Sequence, residues 1–282
     1  SWVATPFGGL AVHTPGGSWI TYNSSFYSSW PSNTLLSIFQ DNNGVFWIGT
    51  NEAGLFSFSL VSGIPYDNHQ QNAVNVLPNG TLVWHSGSTC NWCHEDDDRN
   101  AAILWVNATT GDHGILASGV RNSFDGIWLD GVGYLFSDNG QDAEGDDFPD
   151  EEINLLVEGA DYGWLVESVE DPNPDGTEAP VARWTPHTSV NGMTTRPANM
   201  PGDEYTVYAT VYGSWATILP RGHQILKIDF TQTDDGWKGE VEVFGKDVGT
   251  PLPITGGPDG NLYYATFDHG GAVHVVMPEA NS

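Results

Sequence analysis

Residues 254–276 read ITGGPDGNLYYATFDHGGAVHVV. Apolar and polar positions alternate on either side of two turn signals, Pro258-Asp259-Gly260 and Gly270-Gly271. Period-two alternation marks a half-buried strand, and a Gly-containing turn between two such runs marks a hairpin. The stretch therefore reads as strand, turn, strand, turn, strand. The same grammar recurs in VNVLPNGTLVWHSG (74–87) and DGIWLDGVGYLFSDNG (125–140). It recurs again in SNTLLSIFQDNNGVFWIGT (32–50) and in the related pair WVATPFGGLAVHTPGGSWITY (2–22) and FWIGTNEAGLFSFS (46–59). Strand groups repeating every ~40–50 residues are the signature of propeller blades. The expected fold is all-β: a single β-propeller of about six four-stranded antiparallel blades. One segment, EEINLLVEGA (151–160), has the composition for a short turn of helix.

Nothing separates two domains, so residues 1–282 are expected to form one. The richest loop, DPNPDGTEAP (171–180), lies between strand regions and reads as surface. Twelve Trp and 39% hydrophobic residues supply a sizeable core. Eight Lys and Arg face 36 Asp and Glu, a net charge of −28. A field of that sign repels nucleic acid and anionic membrane surfaces, so neither is an expected partner. No run of apolar residues is long enough for a membrane span, so no membrane insertion is expected. The chain begins directly in strand-like sequence, as a processed mature protein would, and a secreted location, extracellular or periplasmic, is expected. The acids cluster in EDDD (95–98) and DAEGDDFPDEE (142–152), which makes those loops calcium candidates.

The only cysteines stand in CNWC, Cys90 to Cys93, followed by His94. In a secreted acidic protein a disulfide is the first reading. The string C-x-x-C-H also has the form of a c-type haem attachment site, and two thiols with His94 and Asp96 could bind zinc.

Two resemblances cover the chain. Residues 1–62, with WIGT followed by Gly-Leu, resemble the propeller repeats of two-component regulators. Residues 63–282 resemble the soluble pyrroloquinoline quinone (PQQ) sugar dehydrogenases of the glucose and sorbosone type. The segments that carry this are HQQNAVNVLPNGTLVWHSGSTCNWC (69–93), ASGVRNSFDGIWLD (117–130), SDNGQDAEGDDFPDEEINLLVEGADYGW (137–164), VYGSWATILPRGHQILKIDF (211–230) and GGPDGNLYYATFDHGGAVHVV (256–276).

The resemblance implies a secreted quinoprotein-type dehydrogenase passing hydride from a sugar or polyol hydroxyl to PQQ over calcium, with an external electron acceptor. It implies His69 as the base, a role His fills near neutral pH with little tuning. Arg121 and Asn122 would be the polar groups beside the quinone, with Trp215 and Arg221 as further cofactor-binding positions. Gly140 and Gln141 would hold calcium through carbonyl oxygens, and Glu152 and Tyr162 match positions near a second calcium. A local Cys90–Cys93 disulfide is implied as well. Two departures stand against it: the family's GSWNR reads GSWAT here, with Ala216 and Thr217, and an Arg-Pro reads Thr250-Pro251. Arg221 or Arg196 could compensate. The alternatives are a non-catalytic extracellular propeller that binds a glycan or protein or builds a surface assembly, and a mono-haem c electron carrier.

Overall fold

Pro78-Asn79-Gly80 closes the hairpin that its sequence announces. The Leu77 and Thr81 backbones bond across it, Asn79 Oδ1 accepts from Thr81 N, and Gly80 takes the positive φ of 85° that other residues resist. Pro258-Asp259-Gly260 repeats the device, with Gly257 N bonded to Asn261 O and Asp259 Oδ1 accepting from Asn261 N. The computed structural model describes residues 2–5, 9–13, 19–22, 34–40, 46–50, 54–56, 64–65, 67–69, 71–107, 112–214, 217–218, 220–267 and 271–277. The D-N-N-G turn expected at 41–44 lies outside them, and so does Trp215.

The chain divides into two compact units, Ser1–Asn122 and Ser123–Ser282. In the first, β1 (Trp2–Thr5), β2 (Gly9–His13) and β3 (Trp19–Tyr22) pair in sequence order, as do β4 (Leu35–Gln40), β5 (Phe46–Thr50) and β6 (Gly54–Phe56). β7 (Gln71–Val76), β8 (Leu82–Ser86), β9 (Ala102–Val106) and β10 (His113–Ser118) form a third antiparallel ladder. Its register places Trp84 opposite both Val74 and Leu104, and Leu82 opposite Val106. These side chains are the core of the ladder, with Ile64 and Val76 packed against them. All five residues of β8 are buried, so both faces of that strand are covered.

In the second unit, β11 (Gly126–Leu129), β12 (Gly133–Asp138), β13 (Glu151–Leu155) and β15 (Ala182–Trp184) make one sheet, with the two-residue β14 (Ala160–Asp161) in the loop before β15. β16 (Val190–Thr195), β17 (Thr206–Val211), β18 (Gln224–Thr233) and β19 (Gly236–Lys246) make the next. β20 (Pro251–Gly256), β21 (Leu262–Thr266) and β22 (Ala272–Val276) make the last. Val190, Val207, Ala209, Val211, Leu226 and Ile228 are wholly buried at the centre of this unit. Among the described residues there are six sheets, no helix, and three sheets of three strands. The fold is therefore all-β.

The segment 151–160 corrects the helical expectation. Glu151–Leu155 is β13, paired through Ser137↔Ile153 to β12 and through Ile153↔Ala182 to β15. Two flanking ladders supply its backbone partners, and such tertiary pairing overrides a weak local preference.

Candidate functional site

His69 stands just before β7, with its backbone N–H donating to Ser88 O at 3.0 Å. Its Nδ1 lies 2.6 Å from Ser88 Oγ, and that hydroxyl donates to Cys90 O at 2.7 Å. A hydroxyl has one proton, and a carbonyl can only accept. With the Ser88 proton committed to Cys90, Nδ1 carries its own proton and donates to Ser88. The lone pair of the neutral ring is then on Nε2, which has no partner among the described residues. Burial pushes the His69 pKa down to about 3, and the positive charge of Arg121 acts in the same direction. The ring is thus neutral at neutral pH.

Arg121 is buried, and Asn91 holds its side chain. Nη2 donates to Asn91 Oδ1 at 2.7 Å and Nε donates to Asn91 O at 3.2 Å. Asn91 lies between Cys90 and Cys93, which are joined in a disulfide. Glu95, whose carboxylate lies within 4.8 Å of both sulfurs, accepts from Thr89 N at 2.8 Å and Thr89 Oγ1 at 2.6 Å. His69 and Arg121, 52 residues apart by their numbers, are thereby brought within electrostatic reach. Asn122 follows, half-buried, at the end of the first unit.

In the second unit the segment 139–141 is fixed from both sides. Asn139 acts as a strand surrogate, its Nδ2 donating to Val190 O and its Oδ1 accepting from Val190 N. Buried Glu151 accepts from Gly140 N at 3.2 Å and from Ser189 N at 2.8 Å. A Cβ on Gly140 would lie 2.2 Å from Pro149 Cγ, so only glycine fits. The neighbouring Gln141 is 1% exposed, and its Oε1 has no hydrogen-bond partner among the described residues. An orphaned buried oxygen is costly unless a donor or cation meets it. Beyond it, His187 Nε2 lies 2.7 Å from Gly145 O and 2.9 Å from Phe148 O, strapping the acidic loop down.

Glu152 is buried, and burial raises its pKa to about 8. The ion pair with Arg183 at 3.1 Å opposes the shift without cancelling it, while Glu167 and Asp138 add to it. Asn154 Nδ2 donates to Glu152 Oε2 at 3.3 Å, leaving Asn154 Oδ1 buried without a partner. Carboxylate and amide oxygens such as these are hard donors, the class that calcium takes. Tyr162 serves β13 instead: its hydroxyl donates to Leu155 O at 2.6 Å and accepts from Val157 N at 3.0 Å. Burial pushes its pKa up to about 12.

Arg221 turns to the acidic loop, donating to Asp146 O and pairing with Asp147 at 3.0 Å. Arg196 donates to four carbonyls of its own loop, those of Asp203, Pro197, Ala198 and Met200. Thr217 Oγ1 donates to Ser214 Oγ at 2.7 Å. Sequence reasoning missed Ser88, Asn91 and the clamping role of Glu151. The first two lie inside the quoted segment 69–93, but nothing local in it distinguishes them.

The two-component regulator propeller model matches residues 29–52, inside the region expected to resemble it. An uncharacterized protein of Borreliella burgdorferi is 28% identical over 247 residues, covering 77% of this chain and 63% of that protein. The chain thus spans less than two thirds of that relative's length. Among solved structures, the holo form of the pyranose dehydrogenase PQQ domain from Coprinopsis cinerea matches with a TM-score of 0.69 and 15% identity, over 98% of this chain and 90% of that one. The fold is that of the soluble sugar dehydrogenases. The calcium structure of a Trichoderma reesei carbohydrate-active enzyme matches with a TM-score of 0.68 and 15% identity, over 99% and 92% of the two chains. The PQQ-bound aldose sugar dehydrogenase of Streptomyces coelicolor matches with a TM-score of 0.63 and 17% identity, over 98% and 96%. Identities this low establish the fold and leave chemistry to be argued from the residues. Among the described residues no helix is long and apolar enough to cross a membrane.

Proposed function

We propose that the protein is a secreted quinoprotein-type dehydrogenase that oxidises a hydroxyl of a sugar or polyol, the sheets of its described residues being blades of one propeller. The observation that carries this reading is the placement of His69, its Nδ1 2.6 Å from Ser88 Oγ, within electrostatic reach of the buried guanidinium of Arg121. PQQ, when bound, supplies the two-electron acceptor, and an external carrier reoxidises it. Arg121 and Asn122 carry the kinds of donor that would face its quinone oxygens, where fixed donors act most strongly on developing negative charge. The carboxylates of PQQ are met less fully, since Arg221 is engaged by Asp146 and Asp147. Gly140 and Gln141 would hold one calcium and Glu152 another.

His69 takes the hydroxyl proton at Nε2, while Nδ1–H stays on Ser88. A ring of pKa about 3 is a weak base, and Arg121 is the second cause of that weakness after burial. An anionic group on Arg121 offsets its charge, so the base strengthens when the anionic cofactor is in place. Calorimetry with PQQ and calcium, followed by dye reduction with aldoses and polyols, tests the reading. His69→Ala should abolish turnover and leave PQQ affinity within about threefold, because the base acts on the substrate proton. Absence of PQQ binding at high concentration with calcium present would sink it.

The engagement of Arg183 by Glu152, of Arg196 by the carbonyls of its own loop and of Arg221 by the acidic loop favours a second reading, a non-catalytic propeller that binds a glycan or protein. That reading is the outcome left standing by a null calorimetric result.

A further inference from the structure

The disulfide loop has a place in the site that a simple loop staple would not have. Ser88, 0% exposed, connects three backbones: its N–H donates to Arg121 O at 2.8 Å, its O accepts from His69 N, and its Oγ donates to Cys90 O. Were Ser88 Oγ to donate to Nδ1 instead, its lone pair would face Cys90 O at 2.7 Å in a buried place. Two acceptors at that distance repel, and the carbonyl would lose its donor. The proton order Nδ1–H to Oγ–H to Cys90 O is thus the one that gives Nδ1, Oγ and the carbonyl each a partner, and such a chain strengthens cooperatively. One residue further on, Asn91 meets Arg121 with both its carbonyl and its side-chain oxygen, a two-point grip on a planar group. The segment that carries both contacts is held at each end. Glu95 takes two bonds from Thr89, Asn68 N donates to Thr89 O, and the Cys90–Cys93 bond closes around Asn91.

We propose that Ser88, which donates to the first half-cystine, and Asn91, inside the Cys90–Cys93 ring, are the positioning residues of this site: Ser88 fixes the tautomer of His69, and Asn91 fixes the plane of Arg121. The proposal rests on the dehydrogenase reading for its catalytic meaning, but the tautomer itself needs no cofactor to be measured. The loop therefore links the base to the cofactor-side cation through bonded neighbours, Ser88 to Cys90 and Asn91 to Arg121.

The first measurement is long-range nitrogen–proton NMR of His69 in the wild-type protein without added cofactor. The expected result is a neutral ring protonated at Nδ1; a ring protonated at Nε2 overturns the proposal, even if every variant fails to fold. Ser88→Ala should shift the ring toward a mixture of tautomers, and Ser88→Thr, which keeps the hydroxyl, should restore the Nδ1–H form. In the protein loaded with PQQ and calcium, Ser88→Ala should lower kcat by about 100-fold, a typical loss for a disordered general base, with the PQQ Kd changed less than threefold. Asn91→Ala should do the converse, raising the PQQ Kd about tenfold with a smaller change in kcat. Equal effects of both variants on Kd and kcat would mean a merely structural loop and would overturn the assignment. If PQQ does not bind the wild type, the dehydrogenase reading fails while the tautomer measurement still decides the role of Ser88.

Discussion

Acidification should expose the cost of keeping His69 neutral. The ring has a pKa near 6.5 when free and about 3 in the folded protein, lowered first by burial and second by Arg121. A group with a lowered basic pKa is protonated in the unfolded chain before it is protonated in the folded one. The unfolded state then binds more protons between pH 3 and 6.5, so stability contributed by His69 falls as the pH drops through that window. At about pH 5 the unfolded ring is almost fully protonated and the folded ring is not, which works out at about 2 kcal/mol of lost stability relative to about pH 8. That figure barely depends on whether the folded pKa is about 3 or about 4, because either lies well below pH 5. Glu152 works in the opposite sense, since its raised pKa makes stability decline as pH rises from 4.5 to about 8. Its contribution is common to wild type and variant and cancels in their comparison.

The perturbation is His69→Asn, which removes the titration and keeps an amide near the Nδ1 position. Urea unfolding followed through tryptophan fluorescence suits the assay, because Trp84 in the same unit is wholly buried. Wild type should lose about 2 kcal/mol more than His69→Asn between about pH 8 and about pH 5. Equal losses would show that His69 titrates near its free value, and the partly buried, neutral ring on which the base assignment stands would be refuted.

Two further outcomes follow from the second unit. Gly140→Ala forces a Cβ to 2.2 Å from Pro149 Cγ and should cost about 1–3 kcal/mol, seen as a lowered Tm, with the Asn139–Glu151 clamp loosened; an unchanged Tm would mean that the 139–141 segment is not fixed as described. Calcium should raise the Tm by mass action and excess chelator should lower it, with Glu152→Gln reducing the response, and a melting curve indifferent to both would remove the calcium sites.

The parts of this molecule that its sequence reveals are those decided within a few residues. Pro78-Asn79-Gly80 and Pro258-Asp259-Gly260 form turns because each carries its own φ preference and its own side-chain bond. The strand at 151–155 was hidden because its partners come from β12 and β15, the latter separated from it by nearly thirty residues. His69 and Arg121 were legible through the segments around them. What places them was not: the contacts to Ser88 and Asn91 span 19 and 30 residues and join groups that look like ordinary loop polar residues. Arg221 illustrates the reverse, a cation that the local motif assigns to a cofactor and that the acidic loop, 74 residues away, engages through Asp147.

Glu151 and Glu152 make the physical point most sharply. In the string DEEIN they are one acidic pair, and both invite a calcium assignment. The pleat of β13 sends adjacent side chains to opposite faces. Glu151 therefore turns to the backbone N–H groups of Gly140 and Ser189, which satisfy its two oxygens and make it a clamp. Glu152 turns to Arg183, Asn154 and the field of Asp138 and Glu167, where burial holds its pKa near 8. A carboxylate already bonded at both oxygens has little to offer an ion, whereas one kept from ionising by its surroundings releases its proton when a cation arrives. By that argument the calcium response should follow Glu152→Gln, and Glu151→Gln should act instead as the Gly140 variant does, through the Tm alone.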